Sequence, residues 1–221
     1  MDNNALARAL LERGAFPGKY ASTNTLGAES SDNKRPLWFG DGPMVWIDCE
    51  MTGLNPKKDR LLEIAVLITD GNLDIVDEEG ISFTIKTDKE HLDNMDEWCV
   101  RQHGESGLTA ACLESPYDLA CLAKYFAYVQ RWVPKQGTAV LAGSSVHFDK
   151  VFLSLYMPEL IKHLHYRIVD VSTIKELCRR WFPLASQQRT NGPPIVTKHR
   201  SVSLLCLSIS CVYHLALRRL P

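Results

Sequence analysis

Residues 44–54 read Met44-Val45-Trp46-Ile47-Asp48-Cys49-Glu50-Met51-Thr52-Gly53-Leu54, a short apolar run that leads into two acids two positions apart. The run has the length and content of a buried strand. Side chains two apart on a strand face the same side, so Asp48 and Glu50 aim at one spot. Like charges forced together at the end of a buried strand repel, and a cation between them removes that cost. Oxygen donors at this spacing suit a hard divalent ion, Mg²⁺ or Mn²⁺. A bare Asp-x-Glu is a weak motif, equally at home as a turn-capping Asp48 beside a solvated Glu50, so the surrounding chain has to decide.

Working outward, Leu61 to Thr69 is a second β-rich run, Asp70-Gly71 is a turn dipeptide, and Ile81–Ile85 alternates as a third strand. These three predict an antiparallel meander. Beyond them the pattern becomes alternating helix and strand. A helix over Leu92–Gln102 carries Trp98, with His103 directly after it. Ser115, Pro116 and Asp118 read as a helix N-terminus, followed by Leu119, Leu122, Phe126, Val129 and Val133 at helical spacing. Thr138–Leu141 reads as a strand and Phe148–Tyr156 as a helix stopped before Pro158. Arg167–Val169 reads as a strand, Thr173–Trp181 as a helix and residues 183–198 as a loop. The fold class is therefore α/β, a mixed sheet flanked by helices.

The 221 residues suffice for one domain with tails. Near-average composition, 45% hydrophobic and 23% charged, excludes disordered, collagen-like and coiled-coil chains. With 25 Lys and Arg against 26 Asp and Glu, the chain is no polycation able to coat long nucleic acid, although a short fragment stays within reach. Charge is uneven: residues 41–159 carry a net −10, and residues 160–200 a net +6. A carboxylate-rich body beside a basic stretch suits a site that gathers cations and then a phosphate, and solvated surface charge gives the same asymmetry. Seven cysteines, an odd number without any Cys-x-x-Cys, read as reduced thiols of an intracellular protein. The first residues lack the apolar core of a secretory signal, and Arg8 and Arg13 leave a mitochondrial presequence open against Asp2 and Glu12.

Two further stretches carry chemistry. Ser144-Ser145-Val146-His147-Phe148-Asp149 follows a strand, so Asp149 at a helix start can face a metal at the sheet edge or simply favour the helix dipole. Ser145, His147 and Asp149 also spell the residue types of a hydrolase triad, but the Gly-x-Ser-x-Gly elbow is missing. Lys198-His199-Arg200 follows the loop, where a histidine can swing over a metal site as a general base.

Together these stretches resemble the oligoribonuclease family, one of the DEDDh 3′→5′ exonucleases on the ribonuclease-H-like fold. The resemblance rests on residues 46–54, 61–73, 141–150 and 166–183 and on His199-Arg200, in the family's order. It implies that Asp48, Glu50 and Asp149 are metal-binding acids for two Mg²⁺ or Mn²⁺ ions, with His199 as general base. It further implies that Leu54 and Trp98 bracket the substrate bases and that His103 lies beside the substrate. Ser145, Arg167 and Ser172 would cap a 5′-phosphate, and Tyr166 would reach a partner subunit in a homodimer. The expected partner is short single-stranded RNA, with no small-molecule cofactor, and the expected compartment is cytoplasmic or mitochondrial. Residues 1–40 form a flexible lead-in, 41–200 the exonuclease domain, and 201–221 a tail unlike the family's final helix.

The departure is sharp. The family sets a fourth acid five residues after the histidine, where this chain has Leu204, with Ser203 beside it. The alternative reading is therefore a catalytically impaired oligonucleotide-binding homologue, with Asp170 as a candidate stand-in acid. A third reading is a proofreading-type DNA exonuclease, against which Trp98, His103 and the phosphate-cap stretch speak. Val202–Leu217 is an apolar run of 16 residues. A membrane span takes about 20, so no membrane association is expected.

Overall fold

The computed structural model describes residues 35–181. Five strands form one mixed sheet: β1 Met44–Met51, β2 Leu61–Thr69, β3 Ile81–Thr84, β4 Val140–Gly143 and β5 His165–Asp170, in the order β3-β2-β1-β4-β5. β1, β2 and β3 pair antiparallel, as the sequence predicts, while β4 and β5 add in parallel on the other side of β1. Among the described residues seven α-helices accompany them: α1 Lys89–Asp93, α2 Glu97–Glu105, α3 Leu108–Glu114, α4 Leu122–Trp132, α5 Val146–Tyr156, α6 Pro158–His163 and α7 Val171–Trp181.

The strand period of two sorts β1 cleanly. Val45, Ile47 and Cys49 enter the main core with Ile64, Val66 and Ile68 of β2, Tyr125, Val129 and Trp132 of α4, and Phe152 and Leu153 of α5. Burying each large apolar side chain contributes about 1.5–3 kcal/mol. Trp46, Asp48 and Glu50 take the opposite face, where Trp46 joins Ala65, Leu67 and Ala142 and donates its indole N–H to Thr69 Oγ1 at 3.0 Å. At the other end of β2, Leu62 packs on Leu92, Met95, Cys99, Leu108 and Cys112, which seats α1–α3 against the sheet. Tyr125 is built into the ladder: its hydroxyl accepts from Phe83 N and donates to Ile64 O, each at 2.7 Å, bridging a residue pair of β2 and β3.

Several local expectations shift. The single helix over Leu92–Gln102 is two helices. Asn94 ends α1 by donating its side-chain N–H to Glu90 O, and Asp96 opens α2 by accepting from Cys99 N at 2.8 Å. Ser115 is not the cap of the next helix, since its hydroxyl donates to Thr84 O; Asp118 caps a 3₁₀ turn, Leu119–Cys121, that runs into α4. Pro158 does stop α5, and it also starts α6, where a missing N–H costs nothing. Before β1, Leu37 is buried and donates its N–H to Trp132 O at 2.6 Å, so residues from Arg35 onward are tied to the domain.

Candidate active site

β4 stops at Gly143 while β1 runs on to Met51, so the acidic end of β1 has no strand on its β4 side. Gly143 permits this close pairing, because a Cβ there would lie 2.7 Å from Ile47 O. The chain then turns through Ser144 and Ser145 into α5, and Asp149, one turn along, reaches the vacant edge. Its Oδ1 accepts the Cys49 N–H at 2.8 Å. Asp149 thus takes the place a further β4 residue would have filled, between the two acids of β1.

The electrostatics record the crowding. Asp149 is buried, and its carboxyl is pushed up to about 6, chiefly by burial and further by the Glu50 charge, against the pull of the Cys49 N–H. The Cys49 thiol is pushed far up by burial and by the charges of Asp149, Asp48 and Glu50 together. Asp48 Oδ2 is sealed from solvent. Asp149 is therefore bonded to the residue that stands between Asp48 and Glu50. The hard oxygen donors of these three acids fit a divalent cation, which would relieve the mutual repulsion. Among the described residues no three His, Cys, Asp or Glu side chains close into a cage of their own. Mg²⁺ is commonly held in such an open arrangement, by one or two carboxylates plus water and substrate phosphate.

The walls come from two elements. Residues 51–60 form a loop closed by Asp59, which accepts from Thr52 Oγ1 at 3.1 Å and Asn55 N at 2.8 Å. A Cβ at Gly53 would sit 2.6 Å from the Asp59 carboxylate, so a larger residue there would displace the side chain that closes the loop. The loop holds Leu54 out in solvent, 59% exposed. Helix α2 is pinned to the end of β1 by His103, whose Nε2–H donates to Met51 O at 2.9 Å, fixing the tautomer and turning Nδ1 toward Glu50 Oε2 at 4.0 Å. Trp98 on this helix is 61% exposed. An exposed Leu and Trp on elements anchored beside an acidic cluster have no packing role and present flat apolar surface for stacking.

On the far side of Asp149, Ser145 Oγ and Ser172 Oγ lie 2.9 Å apart, with Ser144 Oγ 3.1 Å from Ser172 Oγ. Arg167 and Tyr166 sit upstream on β5, the guanidinium 5.4 Å from the Tyr166 ring centre and Tyr166 73% exposed. Sequence reasoning missed what holds this group together: Asp170, whose Oδ1 accepts from both Ser145 N and Ser172 N. The Asp-x-Ser spacing of residues 170–172 was the available signal, an acid that bonds the amide two residues on. Asp170 is therefore engaged in holding these segments, its Oδ2 also facing His147 Nδ1 at 3.3 Å. The Ser145–His147–Asp149 triad fails on geometry, since Ser145 bonds Ser172, His147 bonds Asp170, and Asp149 bonds Cys49. His199, Ser203 and Leu204 lie outside the described residues. Cys49, Cys99, Cys112 and Cys121 are buried thiols.

A five-stranded mixed sheet in the order β3-β2-β1-β4-β5, flanked by helices, is a ribonuclease-H-like fold. Residues 45–203 match the exonuclease family of the RNase T type, and the chain belongs to that family. Its relatives include the mitochondrial oligoribonuclease of Homo sapiens, 47% identical over 167 residues, which are 75% of this chain and 68% of that one. The oligoribonuclease of Pseudoalteromonas translucida is 50% identical over 141 residues, 63% of this chain and 77% of that one. A Schizosaccharomyces pombe relative is 47% identical over 173 residues, and the chain spans 66% of its length. Among solved structures, a product-bound exonuclease I superposes with TM-score 0.56 at 14% identity, over 79% of this chain and 43% of that one. A zinc-bound Escherichia coli exonuclease I–ssDNA complex gives TM-score 0.61 at 15% identity, over 81% and 41%. These two share the fold. Exonucleases of this class use divalent metal ions.

Proposed function

We propose that the chain is a 3′→5′ exoribonuclease that hydrolyses short single-stranded RNA, down to dinucleotides, to nucleoside 5′-monophosphates. The observation that carries the proposal is the bond to Asp149 from the N–H of Cys49, the residue between Asp48 and Glu50, together with exposed Leu54 and Trp98. The oligoribonuclease names of the relatives support the substrate class. They give no support to the impaired homologue.

Asp48, Glu50 and Asp149 would hold two Mg²⁺ or Mn²⁺ ions. When bound, such ions acidify water and neutralise charge on the leaving 3′-oxygen. The protein's own groups do the rest. Trp98 and Leu54 hold the terminal bases by stacking, about 1–3 kcal/mol per base. His103, locked by Met51 O, keeps the end of β1 and α2 in register. Ser145, Ser172 and Arg167 receive the 5′-phosphate, a wall that limits substrate length and removes the need for a long basic groove. His199 takes the proton from the attacking water.

A homodimer is supported by apolar surface on one side of the molecule: Phe148, Val151 and Leu155 at helical spacing on α5, and Tyr166 and Ile168 on the edge strand β5, all exposed. Among the described residues no helix is long and apolar enough to cross a membrane. A cytoplasmic or mitochondrial location accords with the relatives. The direct test is mononucleotide release from a labelled RNA dinucleotide with Mg²⁺ or Mn²⁺. Turnover abolished by Asp48→Ala supports the proposal. Binding without turnover by folded protein would overturn it in favour of the impaired homologue.

A further inference from the structure

We infer that Asp170 is a positioning residue that builds a three-hydroxyl face from Ser144, Ser145 and Ser172, and that this face selects substrates bearing a 5′-phosphate. The inference rests on the phosphate-cap reading above and extends it to two residues, Asp170 and Ser144, that the cap did not include.

Ser145 stands at φ 57°, in the left-handed region that residues with a Cβ seldom occupy. Asp170 supplies the reason. Its Oδ1 draws in the Ser145 N–H at 2.9 Å and the Ser172 N–H at 2.9 Å, so one oxygen clamps the entrance of α5 to the entrance of α7. The clamp is what sets the three side chains against one another, Ser145 Oγ at 2.9 Å and Ser144 Oγ at 3.1 Å from Ser172 Oγ.

Proton counting shows what such a face offers. Each hydroxyl carries one proton and two lone pairs. Three hydroxyls joined by two mutual bonds use two protons and keep one O–H to point outward. That O–H can donate to an acceptor-only group, and a phosphate oxygen is one. The negative charge of Asp170 does not oppose this, because both its oxygens are turned to donors, Oδ1 to the two amides and Oδ2 to His147 Nδ1–H at 3.3 Å. Arg167 lies three residues upstream on the same strand, its guanidinium 5.4 Å from the Tyr166 ring centre.

The test is equilibrium binding of an RNA dinucleotide with and without a 5′-phosphate to the full chain in EDTA, so that turnover plays no part. The expected result is that the wild type prefers the phosphorylated form, that Asp170→Ala reduces the preference ratio by about fivefold or more, and that Asp170→Asn keeps most of it, since its amide oxygen still accepts both N–H groups. Ser144→Ala, which removes one hydroxyl and leaves the clamp, should also lower the ratio. A merely structural role for Asp170 would weaken both ligands alike and leave the ratio standing. An unchanged ratio in Asp170→Ala or Ser144→Ala, alongside a collapsed ratio in Ser172→Ala, overturns the inference and spares the cap. No preference in the wild type, or none lost in Ser172→Ala, overturns the cap reading itself. If Asp170→Ala does not fold, Ser144→Ala decides.

Discussion

Replacing Asp149 with asparagine should make the metal-free protein more stable, and the gain should depend on pH in a specified way. Burial and the Glu50 charge raise the Asp149 carboxyl from an ordinary 3.8 to about 6. Between those values the folded state holds a proton that the unfolded chain has lost, so stability falls as pH rises and the loss is complete above the folded value. Two pH units at 1.36 kcal/mol each amount to about 3 kcal/mol at pH 8, about 1.5 at pH 5 and about 0.5 at pH 4. The asparagine side chain cannot ionise, yet its oxygen can still accept the Cys49 N–H that Asp149 now holds at 2.8 Å. In EDTA the Asp149→Asn variant should therefore exceed the wild type by about 3 kcal/mol at pH 8, and the gap should halve at pH 5. Urea unfolding followed by tryptophan fluorescence at the two pH values measures it. Adding Mg²⁺ at pH 8 should stabilise the wild type more than the variant, which keeps only two of the three acids, and so narrow the gap. A gap that is equal at both pH values, or a variant less stable at pH 8 in EDTA, would refute the reasoning that Asp149 is a charge held in place at the fold's expense.

Three other outcomes can be checked with simple variants. Tyr125→Phe removes the hydroxyl that bridges Phe83 N and Ile64 O, and should cost about 1–3 kcal/mol in urea unfolding while leaving dinucleotide binding intact. Trp98→Ala should do the converse. An exposed side chain contributes within about 0.5 kcal/mol to stability, while losing its stacking surface weakens dinucleotide binding by about 1–3 kcal/mol, read by titration calorimetry. Leu155→Glu places a charge on the exposed apolar stripe of α5 and should make the chain monomeric by light scattering where the proposed dimer forms; a monomeric wild type would refute the dimer.

Legibility in the sequence follows the range of the interaction responsible. The strands β1, β2 and β3 were readable because a strand's apolar run and the Asp70-Gly71 turn after β2 are local features. The shared face of Asp48 and Glu50 was readable because strand alternation is local too. Helix breaks were read less well. The split between α1 and α2 depends on Asn94 and Asp96 bonding backbone groups three or four residues away, which competes with an apolar spacing that looks continuous. Ser115 looked like a cap until tertiary packing gave its hydroxyl a better acceptor in Thr84 O, 31 residues away.

For the site, the sequence by itself determined the residue types and the order of the motifs, and with them the exonuclease family and the hard-oxygen chemistry that suits a divalent ion. Only the tertiary structure decided which acids meet. Asp149 reaches Cys49 across 100 residues because β4 lies parallel to β1 and ends early, leaving one backbone N–H for a side chain to take. Asp170 was set aside for the serine clamp by the same kind of contact, across 25 residues. Local propensity carries no information about such pairings. They are settled when sheet closure and core packing bring distant segments together, and a buried polar group must then bond whichever partner arrives.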